Sequence, residues 1–322
     1  MSDSVLEKTA PDEMSGLRLD QALARMFPEY SRSRLKAWIL AGSVTVDGRV
    51  CKPRDEVVGG EIIVVQPVES VEATGSPEPI DLDVAYEDEA VVVINKPAGL
   101  VVHPGAGNAA GTLMNGLLHR YPELAALPRA GIVHRLDKDT TGLLLVGRTL
   151  TAHTALVRQL AERSVTRQYD AVCRGVLTGG GRIDAPIRRH PVDRLRMSVQ
   201  SDGKPATSHY RVVERFAAHT WVKVSLETGR THQIRVHFAW KQHPLVGDRV
   251  YGGRLSLPAG ATDELVQALR TFRRQALCAT TLAFDHPDEE RRVDVSVEPP
   301  ADFNELVDVL RRDTLAREAD DE

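Results

Sequence analysis

The sequence is poor in cysteine and has no long apolar run. Its three cysteines, Cys51, Cys173 and Cys278, lie far apart and form no Cys-x-x-Cys pair. This spacing suggests neither a disulfide framework nor a cysteine-based zinc site, and it indicates a reducing compartment. The apolar runs at 90–94 and 143–146 are much shorter than the roughly 20 residues that span a bilayer. We therefore predict buried strands there and no membrane association.

Targeting and cofactor motifs are also missing. The first residues, 1–14, are polar and acidic, which excludes a signal peptide and predicts a cytoplasmic protein. Neither a GxxxxGK[ST] loop nor a convincing GxGxxG occurs, so no nucleotide cofactor is predicted. His232, His237 and His243 lack an acidic or cysteine partner at metal-ligand spacing. We expect hydrogen-bonding roles for these three histidines.

The charge is distributed unevenly along the 322 residues, although the net charge is only −4. Residues 16–54 carry eight basic and three acidic side chains, and residues 182–215 carry eight basic and four acidic. Residues 62–90 carry eight acids and no Lys or Arg. Such zones are either solvated faces or a localised phosphate-binding surface on a soluble protein.

Residues 16–65 form a small unit in the sequence pattern. Apolar residues at 19, 22, 23, 26 and 27 share one helical face, a second helix follows, and Asp47-Gly48 predicts a hairpin. Arg32, Arg34 and Lys36 fall on the outer face of the second helix, where they suit phosphate contacts. The segment GLRLDQALARMFPEYSRSRLKAWILAGSVTVDGRV resembles the S4 RNA-binding domain.

The rest of the chain predicts one larger domain. Residues 1–15 are expected to be a disordered tail, 66–80 a Pro- and Glu-rich linker, and 313–322 an acidic tail. Between them, in 81–312, strand-like and helical segments do not alternate as strict βα units. This arrangement favours an α+β fold over a doubly wound parallel sheet.

The densest polar cluster is the stretch GIVHRLDKDTTG at 131–142, directly before a buried strand. Burying so many polar groups is costly unless they are paired or functional. Asp137 and Asp139 could supply a nucleophile or an acid–base pair, and Asp139 could instead cap a turn. Spacing alone does not choose between the two aspartates.

The same stretch resembles the signature of the RluA family of pseudouridine synthases, His-Arg-Leu-Asp followed by Thr-Gly. The resemblance extends over 81–300 and includes NKPAGLVVHP at 95–104 and LETGRTHQIRVH at 226–237. It implies a pseudouridine synthase domain with a mixed, mostly antiparallel central sheet. It also implies that Asp137 is catalytic, that Arg230 pairs with it, and that Arg135 displaces the target nucleotide from its stack.

The resemblance gives two further site residues, and the charge pattern gives the basic loops. Tyr169 occupies the position of the family tyrosine that contacts the uracil ring, and Leu277 that of the leucine that packs on the base. Many relatives carry His where this chain has Cys278. The basic loops with Arg188, Arg189 and Lys204 either touch RNA backbone or are merely solvated.

The implied activity is isomerisation of uridine to pseudouridine, which requires no cofactor. The nearest likeness within the family implies large-subunit (23S) ribosomal RNA, at helix 69, as substrate and partner, and we expect a monomer. Three alternatives remain open: a pseudouridine synthase acting on tRNA, a non-catalytic RNA-binding or ribosome-assembly factor, and a glycosidic hydrolase using Asp137 and Asp139.

Overall fold

The computed structural model describes residues 5–28, 30, 32–67, 76–105, 107–193 and 195–320. The chain divides into two compact units, with the division between residues 74 and 75. None of the helices in the described ranges is both long and apolar enough to cross a bilayer.

The smaller unit packs two helices on a four-stranded antiparallel sheet of strand order β1-β4-β2-β3. Its elements are β1 (Leu6–Thr9), α1 (Leu19–Met26), α2 (Arg32–Leu40), β2 (Val44–Val46), β3 (Arg49–Val50) and β4 (Ile62–Val65). Asp47 and Gly48 connect β2 to β3 with φ of 48° and 75°. Positive φ at both central residues is the mark of a type I′ hairpin turn, so the predicted turn is confirmed.

The N-terminal segment differs from the predicted disordered tail. Residues 6–9 form β1 and pair with β4, and Ala10 and Met14 are buried in the core of the smaller unit. The short, polar LEKT gives no local signal, because its partner strand lies far along the chain. Residues 1–4 of the predicted tail lie outside the described residues.

The larger unit is built on a nine-stranded sheet, within the described ranges, of order β5-β6-β7-β14-β8-β13-β12-β9, with β15 paired to β14. Its strands are β5 (Val84–Glu87), β6 (Val91–Lys96), β7 (Thr141–Gly147), β8 (Thr166–Arg174), β9 (Gly181–Asp184), β12 (Thr207–Arg215), β13 (His219–Leu226), β14 (Leu277–Asp285) and β15 (Arg292–Ser296). Only the pair β7–β14 is parallel among these pairings. The predicted α+β class with a mixed, mostly antiparallel sheet is confirmed.

Helices and a separate hairpin surround this sheet. They are α3 (Leu113–Arg120), α4 (Leu150–Glu162), the hairpin β10 (Ile187–Arg189) and β11 (Met197–Val199), α5 (Gln233–Trp240), α6 (Asp263–Thr271) and α7 (Ala301–Asp320). The central strands β6 and β7 are buried on both faces: Leu144 and Val146 join one core cluster, Leu143 and Leu145 the other. Two-sided burial explains why both strands are continuous apolar runs in the sequence.

The predicted linker and acidic tail also differ from the structure. The carbonyl of Ser76 accepts a hydrogen bond from the Asn115 amide, and Ile80 packs on the core, so 76–80 belong to the larger unit. Residues 68–75 of the linker lie outside the described residues. Helix α7 continues through most of the predicted tail because Asp313 is buried and pairs with Arg317 one turn later. The last two residues, 321–322, are likewise outside the description.

Candidate active site

The loop at 132–140 runs between a 3-10 helix, Pro128–Gly131, and strand β7. The ring nitrogen Nε2 of His134 accepts a hydrogen bond from the backbone N–H of Leu145 in β7 at 3.0 Å. Burial lowers the pKa of His134 to about 3, so the ring is neutral and can accept. The backbone N–H of Thr140 donates to the carbonyl of Asp137 at 3.1 Å and closes a turn. The turn places Asp137 just before the first residue of β7, Thr141.

Lys96, the last residue of β6, connects the loop at 97–100 to the loop at 132–140 by hydrogen bonds. Its side chain is fully buried, and its ammonium donates to the carbonyls of Pro97, Leu100 and Lys138 at 2.7, 3.0 and 2.9 Å. Burial lowers the pKa of Lys96 to about 8, while the Asp139 and Asp137 charges oppose that shift. The bond to Lys138 fixes the residue directly after Asp137.

Asp137 forms an ion pair with Arg235 in the first turn of α5. Arg235 Nη1 donates to Asp137 Oδ2 at 2.8 Å, and the two side chains are 7% and 13% exposed. The same guanidinium donates from Nε and Nη2 to the two carboxylate oxygens of Asp248 at 2.6 and 3.0 Å. Burial opposes the charge of Arg235, but the two carboxylates raise its pKa above the ordinary value. Arg235 is therefore a fixed cation shared by two aspartates.

The prediction that Arg230 pairs with Asp137 is wrong. The Arg230 Nε donates to the carbonyl of Pro205 at 3.0 Å, and Arg235 takes the place beside the carboxylate. Arg230 precedes α5, whereas Arg235 lies inside it, and His232 between them has a left-handed backbone with φ of 58°. This reversal turns the chain so that the later arginine points toward the 132–140 loop. Arg230 still lines the cavity around Asp137.

Gln233, the first residue of α5, holds the start of the helix in place. Its side-chain oxygen accepts from the hydroxyl of Thr228 and the N–H of Arg230 at 2.8 and 3.0 Å. Its amide nitrogen donates to the Thr207 carbonyl and the Ser208 hydroxyl, both at 3.0 Å. All hydrogen-bonding groups of a buried amide are thus satisfied, which gives the helix a single position against β12.

Asp248 and Tyr251 complete the surroundings of Arg235. The buried Asp248 carboxylate also accepts from the backbone N–H groups of Val250 and Tyr251 at 2.9 and 3.0 Å. The guanidinium carbon Cζ of Arg235 lies over the Tyr251 ring, 5.1 Å from the ring centroid. The Tyr251 hydroxyl forms a hydrogen bond with Nδ1 of His232 at 2.7 Å. His232 Nε2 lies 3.8 Å from Asp137 Oδ1, and burial lowers the pKa of His232. Sequence reasoning missed Arg235, Asp248 and Tyr251.

Two neighbouring strands place Tyr169 and Leu277 at the same cavity. Tyr169 is in β8 and Leu277 begins β14, and the two strands are antiparallel partners. Both side chains are buried, and burial raises the pKa of Tyr169, which keeps the phenol neutral. One cavity is lined by the five residues singled out from the sequence: Arg135, Asp137, Tyr169, Arg230 and Leu277. Asp139 is not among the residues that line it, which separates the two aspartates.

The basic residues expected to touch RNA lie elsewhere. Arg188 in β10 pairs with Asp202, and Arg189 and Lys204 are exposed. None of the three is among the residues that line the Asp137 cavity. In the smaller unit Lys36 is exposed on α2. The side chains of Arg32 and Arg34 lie outside the described residues.

The three histidines noted in the sequence have separate hydrogen-bonding partners. His237 bonds to the Ser208 hydroxyl and the Ala185 carbonyl, and His243 bonds to the Arg174 carbonyl. With the Tyr251 bond of His232, the expected hydrogen-bonding roles are confirmed. No group of three or more potential metal ligands occurs among the residues that were described.

Comparison with known proteins gives two family matches. The family model for RNA pseudouridylate synthases matches residues 90–240, and the S4 domain model matches residues 17–63. Proteins named ribosomal large subunit pseudouridine synthase D align over almost the whole chain. The one from Xanthomonas campestris is 55% identical and covers 98% of this chain and 95% of its own. Those from Pseudomonas aeruginosa and Escherichia coli K12 are 54% and 53% identical, covering 98% and 96% of this chain and 99% and 95% of theirs.

Solved structures share the fold of the larger unit. Human RNA pseudouridylate synthase domain containing 4 superposes with a TM-score of 0.56 at 24% identity, covering 71% of this chain and 93% of its own. Human RNA pseudouridylate synthase domain containing 1 superposes with a TM-score of 0.52 at 24% identity, covering 76% of this chain and 98% of its own. At 24% identity the similarity to these two structures shows the fold alone. The family assignment rests on the relatives that align over almost the whole chain. The chain belongs to the pseudouridine synthase family and is an isomerase with an N-terminal S4 domain.

Proposed function

We propose that this enzyme converts uridines of large-subunit (23S) ribosomal RNA, in helix 69, to pseudouridine, and that Asp137 is its catalytic residue. Relatives at 53–56% identity that are named ribosomal large subunit pseudouridine synthases support the large-subunit substrate. One observation carries the catalytic role. Asp137 is the carboxylate that lines a cavity together with an aromatic ring and an apolar side chain, and a guanidinium holds it there.

The reaction places clear demands on that carboxylate. The C1′–N1 bond of uridine breaks, the base turns, and C1′ joins C5, while C5 loses one proton and N1 gains one. The composition of the nucleotide is unchanged, so no oxidant, reductant or group donor enters the equation. An ionised carboxylate can attack the sugar, attack the base or remove a sugar proton. All three routes require Asp137 charged, and Arg235 forms an ion pair with that carboxylate.

The target must leave its stack to reach a carboxylate that is only 13% exposed. Extruding a nucleotide costs a few kcal/mol, least where the base is already in a loop. We assign Tyr169 and Leu277 to the two sides of the uracil ring, since both line the cavity. We assign Arg135, which is exposed at the same cavity, to the space that the flipped base vacates. These contacts would offset the cost of unstacking.

A direct assay tests the proposal. Purified enzyme is incubated with a 23S ribosomal RNA transcript, with an isolated helix 69 stem-loop and with tRNA, and pseudouridine is mapped at nucleotide resolution. We expect conversion in helix 69 in both ribosomal substrates and none in tRNA. Unchanged helix 69 uridines would exclude this substrate, and conversion in tRNA alone would identify tRNA instead. Release of free uracil would indicate a hydrolase.

A further inference from the structure

A second cavity lies against the turn that holds Asp248. It has a volume of about 230 Å³, well above the roughly 10–15 Å³ that admits one water. Asp248 lines it together with Gly247, Gly252 and Gly253, so one wall is the backbone of the turn itself. The turn is tight, because the N–H of Gly252 donates to the Asp248 carbonyl at 2.8 Å.

The charges around this cavity are almost all of one sign. Five arginines line it against a single carboxylate, that of Asp248, which Arg235 already neutralises. The five are Arg174, Arg249, Arg254, Arg270 and Arg273. Arg249, Arg254, Arg270 and Arg273 have no ion-pair partner within the described part of the chain. Converging guanidinium groups without counter-charges repel one another unless an anion joins them.

A buried polar group points to a ligand as well. His219 lines the cavity, is 2% exposed, and its Nδ1 has no hydrogen-bond partner among the described residues. Buried polar atoms are normally paired with protein or with a bound molecule. Arg174 donates to the carbonyl of Gly252 from within the cavity and so links its floor to the turn. The remaining walls are apolar, from Leu245, Leu255 and Phe272.

We propose that this cavity binds a phosphate group of the RNA substrate outside the target nucleotide. Guanidinium forks are the side chains that best match phosphate oxygens, and the apolar walls fit the attached sugar or base. Arg254 is six residues after Asp248, which places its Cα atom within about 22 Å of the Asp248 Cα atom. An RNA strand with its target at Asp137 can therefore span the distance in a few nucleotides. The inference rests on the proposed function, which brings RNA to this face.

Such a contact would also act on the catalytic site. An occupant held by Arg254 and Arg270 packs on the turn at 247–253 that fixes Asp248, and Asp248 in turn orients Arg235 against Asp137. Binding of flanking RNA would thereby stabilise the arrangement that holds the catalytic carboxylate.

The test compares RNA binding by cavity variants with a matched control. Binding of the helix 69 stem-loop is measured from about 50 to 200 mM salt for wild type, Arg254→Gln, Arg270→Gln and the double variant. Arg158→Gln is the control, because Arg158, like Arg270, is exposed, helical and without an ion pair among the described residues. The double variant should lower the slope of log K against log salt by roughly 0.7–0.9, the value for one phosphate contact, and each single variant should lower it by part of that amount. The control should keep the wild-type slope.

Free phosphate distinguishes the source of the ligand. Pyrophosphate and uridine 5′-monophosphate are titrated against wild type and the double variant while the unfolding temperature is recorded. An unchanged RNA slope in the double variant overturns the proposal, whether or not the free phosphates stabilise the wild type. If the RNA slope is unchanged and the free phosphates stabilise the wild type, the cavity binds a soluble phosphate ligand instead of RNA. A wrong RNA substrate would show separately, as absence of pseudouridine formation by the wild type.

Discussion

Arg235 holds Asp137 and Asp248 at the same time, through three different nitrogens of one guanidinium. The two bonds to Asp248 leave Nη1 directed at Asp137, so the position of the candidate catalytic carboxylate depends on a residue more than a hundred positions away in the sequence. A planar fork can do this and an ammonium cannot, because only the fork offers several donors in fixed directions.

Replacing that fork should therefore impair chemistry more than binding. Arg235→Lys keeps the charge but cannot bond to both aspartates, and we expect a fall of roughly 10²-fold in the single-turnover rate of pseudouridine formation. RNA affinity should change little because the Arg235 side chain is only 7% exposed. Single-turnover kinetics at saturating enzyme measures the rate.

Arg230→Lys is the matched comparison. Its guanidinium bonds to the Pro205 carbonyl and not to Asp137, so the chemical step should fall less than in Arg235→Lys. Equal losses in the two variants would show that the Asp137–Arg235 pair does not govern the rate.

Asp137→Asn should remove activity and leave the fold intact. The amide keeps the size of the side chain, and Arg235 retains both of its bonds to Asp248. We expect a wild-type circular dichroism spectrum and RNA affinity with no detectable pseudouridine. Measurable turnover by the purified variant would reject Asp137 as the essential group. Asp139→Asn is the control and should stay active, since Asp139 is not among the residues that line the cavity.

Lys96→Met should destabilise the larger unit. The substitution removes three hydrogen bonds from a charged donor to the carbonyls of Pro97, Leu100 and Lys138, each worth about 1.5–3 kcal/mol. The Lys138 carbonyl keeps a second donor, the N–H of Gly99. We expect a loss of about 3 kcal/mol or more in the free energy of unfolding, measured by urea titration. A loss below about 1 kcal/mol would show that the carbonyls find other partners.

The same residue predicts a pH dependence. The pKa of Lys96 is about 8 in the folded protein and 10.5 when unperturbed, so between these values the unfolded chain binds more protons. Stability from this group should therefore rise as the pH increases from 8 toward 10.5, and should not vary below 8. Urea titrations at several pH values should show this rise in the difference between wild type and Lys96→Met. A difference that falls over the same range would contradict the assignment.

Gly142→Ala should prevent correct folding of the larger unit. Gly142 has φ of +102°, and a Cβ atom there would lie 2.1 Å from the carbonyl oxygen of Ala279 in β14. The parallel pairing of β7 and β14 that brings the 132–140 loop beside Leu277 requires this close approach. We expect insoluble protein or a loss above about 3 kcal/mol by thermal unfolding. Gly179→Ala, where a Cβ meets nothing within 4 Å, should be tolerated, and equal behaviour of both variants would contradict the close-approach argument.

Local patterns in the sequence predicted much of the fold. The apolar runs at 90–94 and 143–146 became β6 and β7, and the Asp47-Gly48 turn is present, because burial and turn conformation depend on neighbouring residues. Strand β1 was missed because its polar residues form a strand only against β4. The predicted C-terminal helix ended too early, at residue 312. The hydrogen bond from the Thr262 N–H to the buried Asp313 carboxylate is not visible in the sequence.

The sequence by itself determined the family, the α+β class and the catalytic aspartate as a candidate, since motif and periodicity are properties of contiguous residues. The tertiary structure alone decided that Arg235, not Arg230, meets Asp137, and that Asp248 and Tyr251 hold it there. The physical reason is that a side chain's direction depends on the whole path of the backbone. The left-handed turn at His232 and the packing of Gln233 set that direction, and neither can be read from spacing.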